Sequence, residues 1–138
     1  MTAENYLEKI SYYDACIESC RDRVKKHKEA AEKRTSNLST NKVQTSPSKE
    51  KMADAVVSYS DIEAAIKEYE EKRQEIIDTI GTLPPKEAIV LHKRYVDDKT
   101  LYAIAKEANR AYEWASRHHR SGKRNIQRIL DEREKAGV

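Results

Sequence analysis

Two long stretches of the chain place apolar residues at alternating spacings of four and three. This is the a/d pattern of a heptad repeat, and it predicts two long helices that each carry one narrow apolar stripe. Only Arg73 interrupts the second stripe. The stripe positions are Tyr6, Ile10, Tyr13, Ile17, Cys20, Val24, His27 and Ala31 in the first helix, and Ala55, Tyr59, Ile62, Ile66, Tyr69, Ile76, Ile80 and Leu83 in the second.

A polar segment separates the two stripes. Residues 35–50 are rich in Ser, Thr, Asn and Lys and lack sustained periodicity, so we expect a loop or flexible linker there. Ser46 or Ser48, which flank Pro47, can cap the start of the second helix. Two helices of about 30 residues, each roughly 45 Å long, favour a coiled-coil-like antiparallel hairpin.

The narrow stripes also bear on oligomeric state. They contain Tyr, His and Cys as well as aliphatic residues, so a single hairpin offers a modest core, and pairing two chains buries more apolar area. We therefore expect a homodimer, in which the heptad helices pair either within one chain or between chains. A plainer interpretation is that each helix simply packs on another, which says nothing about function.

The pattern changes after residue 82, where Gly81, Pro84 and Pro85 end the second helix. The sequence thus predicts an all-α protein with two domains, a helical hairpin over 1–82 and a compact second domain over 83–138. A short amphipathic helix is expected within 85–96, because Ala88, Val90, Leu91 and Tyr95 share one face.

Two further helices and a tight turn are predicted in the second domain. Thr100 is a suitable cap for the first of them, and Asn109 tolerates the left-handed conformation that a sharp turn requires. The last helix is expected to begin near Tyr112, and together the pair forms a helix-turn-helix. Its small or packing positions are predicted to be Ala105, Ala108, Ala115 and His118, with Trp114 as a core anchor.

Charge adds a second signal in the same region. The chain has 138 residues, is 37% charged and carries a net charge of only +3, yet the basic residues concentrate in its last part. Such a density of basic residues attracts polyanions, although a solvated helix face can have a similar composition. Between residues 110 and 128 one acid, Glu113, accompanies Arg110, Arg117, Arg120, Lys123, Arg124 and Arg128.

Several classes of protein are disfavoured by the sequence. The apolar runs are too short for a transmembrane helix, and residues 1–10 do not resemble a signal peptide, so we expect a cytoplasmic protein without membrane contact. Cys16 and Cys20 suit two reduced thiols that pack in a helix. Without a glycine-rich phosphate loop or a Cys/His ligand set, we expect no enzyme activity, no cofactor and no metal.

The segment from Leu83-Pro84 through Glu87, Val90-Leu91, Arg94-Tyr95 and Thr100-Leu101 to Ile104-Ala105 resembles region 4 of sigma-70 type RNA polymerase factors. With the heptad-bearing first half and the ending His119-Arg120 through Ile129-Leu130, the whole chain is similar to phage and prophage late-gene regulators of the ArpU and RinA kind. The resemblance implies transcriptional control through double-stranded DNA, with RNA polymerase as a candidate partner.

The resemblance also implies roles for individual residues in DNA binding. Base contacts would fall on one face of the last helix, at Tyr112, Glu113, Ser116, Arg117 and Arg120. Contacts to the DNA backbone would come from Arg94, Lys99, Thr100, Arg110, Lys123 and Arg124.

Some positions depart from the family pattern. Ala111 stands where Ser or Thr commonly caps the recognition helix, and Gly122 marks a bend, a close contact or simple drift from the pattern. Residues 1–82 do not look like a promoter-melting region, which favours an accessory activator over a stand-alone sigma factor. Two other functions stay open, a phage DNA-packaging recognition subunit and a structural helical adaptor that binds an acidic protein.

Overall fold

The computed structural model describes residues 1–38 and 46–137 of the chain, and these residues form helices without any strand. The predicted all-α class is therefore confirmed. Within the described ranges, no helix combines the length and the hydropathy needed to cross a bilayer. The elements are α1 (Ala3–Leu38), α2 (Ser46–Gly81), α3 (Pro85–Leu91), a π-helical turn (His92–Val96), α4 (Leu101–Glu107) and α5 (Tyr112–Ala136).

The two heptad helices are longer than the sequence pattern predicts. α1 continues to Leu38 and α2 begins at Ser46, so both enter the predicted linker at 35–50, and the rest of that linker, 39–45, lies outside the described residues. The prediction of a loop was wrong at both ends. Polar residues lower helix stability by only a fraction of a kcal/mol each, and Pro47 in the first turn of α2 removes an amide that the helix does not use.

Two compact units make up the chain. Residues Asp14–Glu71 form one unit, and Met1–Tyr13 together with Lys72–Val138 form the other. The predicted boundary after residue 82 thus falls inside the second of these units. The reason is that buried side chains at the start of α1 and the end of α2 share a core with residues 83–137.

In the Asp14–Glu71 unit, α1 and α2 contact each other at two described places. Arg21 forms an ion pair with Glu70 at 3.3 Å, and the Lys28 ammonium lies 5.7 Å from the centre of the Tyr59 ring. The contact nearer the N-terminus of α1 involves the residue nearer the C-terminus of α2, as an antiparallel pair requires. The hairpin over the whole of 1–82, and its dimerisation, stay predictions.

The other unit has a continuous apolar core contributed by four helices. The fully or nearly fully buried side chains are Leu7 and Ile10 of α1, Ile76 and Ile80 of α2, Leu91 of α3 and Ile126 of α5. Arg133 donates from its two Nη atoms to the Tyr6 hydroxyl at 3.2 Å and to Thr79 Oγ1 at 2.9 Å. These contacts fasten the beginning of α1 to the end of the chain.

Gly122 is a point of close approach between α3 and α5. It is buried, and a Cβ atom added to it would lie 2.9 Å from Leu91 Cδ1 and 3.0 Å from Leu91 Cγ. Leu91 itself is fully buried and has little room to move. Of the alternatives raised by the sequence, the structure supports a close contact.

We expect Gly122→Ala to destabilise the protein by up to about 2 kcal/mol. Crowding a packed core costs about 1–3 kcal/mol, and the higher helix propensity of alanine offsets roughly 1 kcal/mol of that cost. Gly81→Ala is the matched control, since nothing lies within 4 Å of a Cβ at that position. Urea unfolding measures both variants, and equal stability of the two would contradict the close-contact account.

Candidate nucleic-acid interface

The helix expected within 85–96 forms in two parts. α3 runs from Pro85 to Leu91 and widens into the π-helical turn His92–Val96, which ends before Asp97 as predicted. Val90 and Leu91 are fully buried, while Ala88 and Tyr95 are half-buried against the core. Arg94 and Tyr95 both lie in the wider turn.

The start of α4 and the turn between α4 and α5 both have the local features that the sequence predicts. Thr100 Oγ1 accepts a hydrogen bond from the Ala103 amide at 3.2 Å and so caps α4. Asn109 has a φ of 55°, in the left-handed region. The amides of Asn109 and Arg110 then donate to the carbonyl oxygens of Lys106 and Ala105, which closes the turn. Both predictions are confirmed.

Small residues let α4 and α5 pack closely. Ala105 and Ala115 are 2% and 0% exposed and share a core cluster with Val90 and Ile104. Trp114 is half-buried against the same cluster, as expected of a packing residue. His118 is half-buried and lies edge-on to Trp114, with the ring centres 5.0 Å apart.

The prediction that Ala108 packs against α5 was wrong. Ala108 is exposed, because α4 has already ended there and the residue serves as the helix C-cap at the start of the turn. Its i, i+7 spacing from Leu101 suggested a packing face, but that periodicity holds only while the helix continues. At the other side of the turn, Ala111 precedes α5 without a side-chain cap, as the sequence predicted.

A buried carboxylate links α3 to α5. Glu87 is only 8% exposed, and its two oxygens accept hydrogen bonds from Ser121 Oγ at 2.5 Å and Asn125 Nδ2 at 2.6 Å. Hydrogen bonds to charged groups stabilise more than neutral ones, so these contacts fix the rotation of α5 about its own axis. The sequence pattern did not predict this contact, although the position of Glu87 one turn before Leu91 places it on the buried face of α3.

With α5 held in this way, one stripe of side chains points to solvent. Arg117 and Arg120 are exposed at its centre. None of the ion pairs among the described residues involves these arginines, Arg110 or Arg124. The stripe follows spacings of four, three, four and four and is about 22 Å long at 1.5 Å per residue. Its members are Glu113, Arg117, Arg120, Arg124 and Arg128, all exposed.

The other residues predicted to contact bases border this stripe. Tyr112 is 52% exposed at the first position of α5, and Ser116 is half-buried. The structure therefore brings together all five predicted base-contacting residues on the first half of one helix. Lys123 and Arg124 follow directly, and the exposed Arg110 precedes α5 in the turn.

The remaining predicted backbone-contacting residues lie on the segment before α4. Lys99 Nζ is 2.7 Å from Glu107 Oε1, and Lys93 Nζ is 3.0 Å from Glu107 Oε2. Hydrogen bonding to Glu107 raises the pKa of Lys99, and hydrogen bonding to Lys99 and Lys93 lowers the pKa of Glu107. A phosphate at Lys99 would therefore compete with the Glu107 carboxylate.

Arg94 and Thr100 also take part in hydrogen bonds within the protein. Arg94 Nη1 donates to the Lys99 carbonyl oxygen at 3.5 Å, and its guanidinium lies 5.7 Å from the Tyr95 ring centre. Thr100 Oγ1 accepts from an amide in its capping role, which leaves the hydroxyl proton to donate.

Behind the stripe, Tyr95 and His119 form a half-buried pair. The Tyr95 hydroxyl and His119 Nε2 are 2.9 Å apart, and the rings stack with centres 5.7 Å apart. Burial, with the positive charges of Lys123 and Arg94, lowers the pKa of His119 to about 4, against an opposing effect of Glu4. Burial also raises the pKa of Tyr95, so both rings are neutral near pH 7.

The chain matches no protein-family model, no curated protein and no solved structure. The resemblance to sigma region 4 thus stays a prediction that rests on the residues quoted for it. The geometry of α5 and its neighbours is therefore the basis from which a function is inferred.

We expect the stability of this unit to fall as the pH drops from about 6.5 to about 4. Because the His119 pKa is lowered from 6.5 to about 4, the unfolded chain binds more protons in this window, and stability rises with pH across it. Thermal unfolding at a series of pH values measures the effect, which should be smaller in His119→Gln.

Carboxylates titrate in part of the same window, so the comparison needs a control. His27→Gln removes a histidine from the other compact unit, and His27 has no hydrogen bond or ion pair in the described structure. A profile for His119→Gln that coincides with that of His27→Gln would contradict the buried, neutral histidine.

Proposed function

We propose that the protein is a sequence-specific DNA-binding transcriptional regulator that reads double-stranded DNA with α5. The observation that carries the proposal is the exposed arginine stripe of α5, which comes after a short helix and a tight turn at Asn109. A helix in this setting can enter the major groove, with its N-terminal residues at the base edges. The buried hydrogen bonds of Glu87 support the proposal, since a reading helix needs a fixed rotation.

Groove chemistry assigns roles along the stripe. Arg117 and Arg120 can each donate two hydrogen bonds to a guanine edge, and the Glu113 carboxylate can accept from cytosine N4. Tyr112 and Ser116 border these residues and can contact neighbouring bases. Each good pairing discriminates against a wrong base by about 1–3 kcal/mol.

Affinity independent of sequence would come from the surrounding cations. Arg94, Lys99, Arg110, Lys123 and Arg124, with the Thr100 hydroxyl, are proposed to contact backbone phosphates. At Lys99 the contact requires that the Glu107 carboxylate share or release the ammonium group, since the two form an ion pair at 2.7 Å. We therefore propose that Lys99 contributes less than an unpaired cation such as Arg110.

The heptad helices are proposed to mediate the association of two chains. We propose that residues of the Asp14–Glu71 unit pair two chains into a homodimer, which would present two reading helices to a target with two half-sites. On the basis of the resemblance to late-gene activators, we propose RNA polymerase as the partner of the bound dimer and the cytoplasm as its location.

Selection from randomised duplex DNA at about 150 mM salt tests the proposal, because non-specific phosphate binding weakens at that concentration. We expect a recovered motif, and we expect Arg117→Ala to lose discrimination at one base pair by about 1–3 kcal/mol. Lys99→Ala is the matched control, since loss of a phosphate contact weakens all duplexes alike.

Three results would contradict the proposal in distinguishable ways. Equal loss of selectivity in both variants would remove the assignment of Arg117 to base reading. Absence of any salt-dependent duplex binding would favour the structural adaptor. A ring-sized oligomer in light scattering would favour the DNA-packaging subunit over the transcriptional regulator.

A further inference from the structure

A shallow groove lies beside the arginine stripe, between α5 and the first turn of α1. Thr2 and Glu4 form one wall, and Arg120, Lys123, Arg124 and Gln127 form the other. All of these residues belong to one compact unit. The groove is continuous with the proposed reading surface, because Arg120 and Arg124 are members of the stripe.

The two walls are held in fixed positions by hydrogen bonds. Gln127 Oε1 accepts from the Ala3 amide at 2.8 Å, and Gln127 Nε2 donates to the Met1 carbonyl oxygen at 3.2 Å. Ala3 is 5% exposed, and Tyr6 on the next turn is bonded to Arg133. The first turn of α1 therefore cannot move away from α5 without breaking buried contacts.

The charge of the groove is positive on the α5 side. Arg120, Lys123 and Arg124 lie within about one helical turn of one another. None of the three takes part in an ion pair among the described residues.

Three amides at the start of α1 are already engaged in hydrogen bonds. The Asn5 amide donates to Thr2 Oγ1 at 3.2 Å, the Tyr6 amide donates to the Thr2 carbonyl oxygen, and the Ala3 amide is taken by Gln127. A ligand of the groove would instead be held by the cationic side chains. Glu4, exposed on the opposite wall, would repel an anion there.

We propose that this groove binds one phosphate of the DNA backbone and that the negative charge of Glu4 lowers the affinity of this phosphate site. The proposal rests on the proposed function and extends the DNA-binding surface to the first turn of α1, more than 100 residues away in sequence. Lys123 and Arg124 neutralise the phosphate, which fixes the register of Arg117 and Arg120 on the bases. Glu4 weakens phosphate binding equally for every DNA sequence, so discrimination between sequences depends on the base contacts.

Fluorescence anisotropy of the full-length protein tests this with two probes, the duplex recovered by selection and a scrambled duplex of equal length. Glu4→Gln is expected to tighten binding to both about three- to tenfold at low salt, by removing one like charge beside the phosphate. Lys123→Gln is expected to weaken both and to reduce the slope of log K against log salt by about 1.

Glu132→Gln is the matched control, because it removes the same charge from an exposed position of α5 that does not line the groove. If Glu4→Gln behaves like Glu132→Gln while the wild-type protein binds duplexes and Lys123→Gln still reduces the slope, the phosphate site in the groove is wrong and the proposed function stands. If the wild-type protein shows no salt-dependent binding to either duplex, both proposals fail together.

Discussion

The contact of Leu91 with the backbone of α5 at Gly122 is the constraint on which the DNA-binding unit depends. Gly122 has no side chain, and a Cβ at this position would lie 2.9 Å from Leu91 Cδ1, so this contact limits how closely α5 can pack on α3. One turn earlier, Glu87 receives hydrogen bonds from Ser121 and Asn125 and sets the rotation of α5. Position and rotation together decide which residues face solvent, and these are the arginines.

The two halves of α5 accordingly have different surroundings. The first half packs on α4 through Ala115 and presents Arg117 and Arg120 outward. The second half packs through Ile126 into a core shared with the beginning of α1 and the end of α2. Most helical stability in proteins comes from the packing of a buried face, so we expect these contacts to supply most of the stability of α5. Dimerisation is proposed for the Asp14–Glu71 unit, and DNA reading for the unit that contains α5.

Local signals in the sequence were sufficient for the turn and its neighbours. The Thr100 cap, the left-handed Asn109 and the start of α5 each depend on residues within about four positions, so composition and spacing reveal them. The attachment of α1 could not be predicted. Its contacts, Ala3 with Gln127 and Tyr6 with Arg133, join residues separated by 124 and 127 positions. Periodicity shows that Tyr6 has a buried face but does not name its partner.

We propose the outward stripe of α5 as the surface that contacts DNA. A titration of the isotopically labelled full-length protein with a duplex at low salt, followed by two-dimensional NMR, examines this surface residue by residue. We expect chemical-shift changes that concentrate on residues 110–128 and on the first turn of α1. Changes confined to the Asp14–Glu71 unit, or the absence of changes at any duplex concentration, would contradict this proposal.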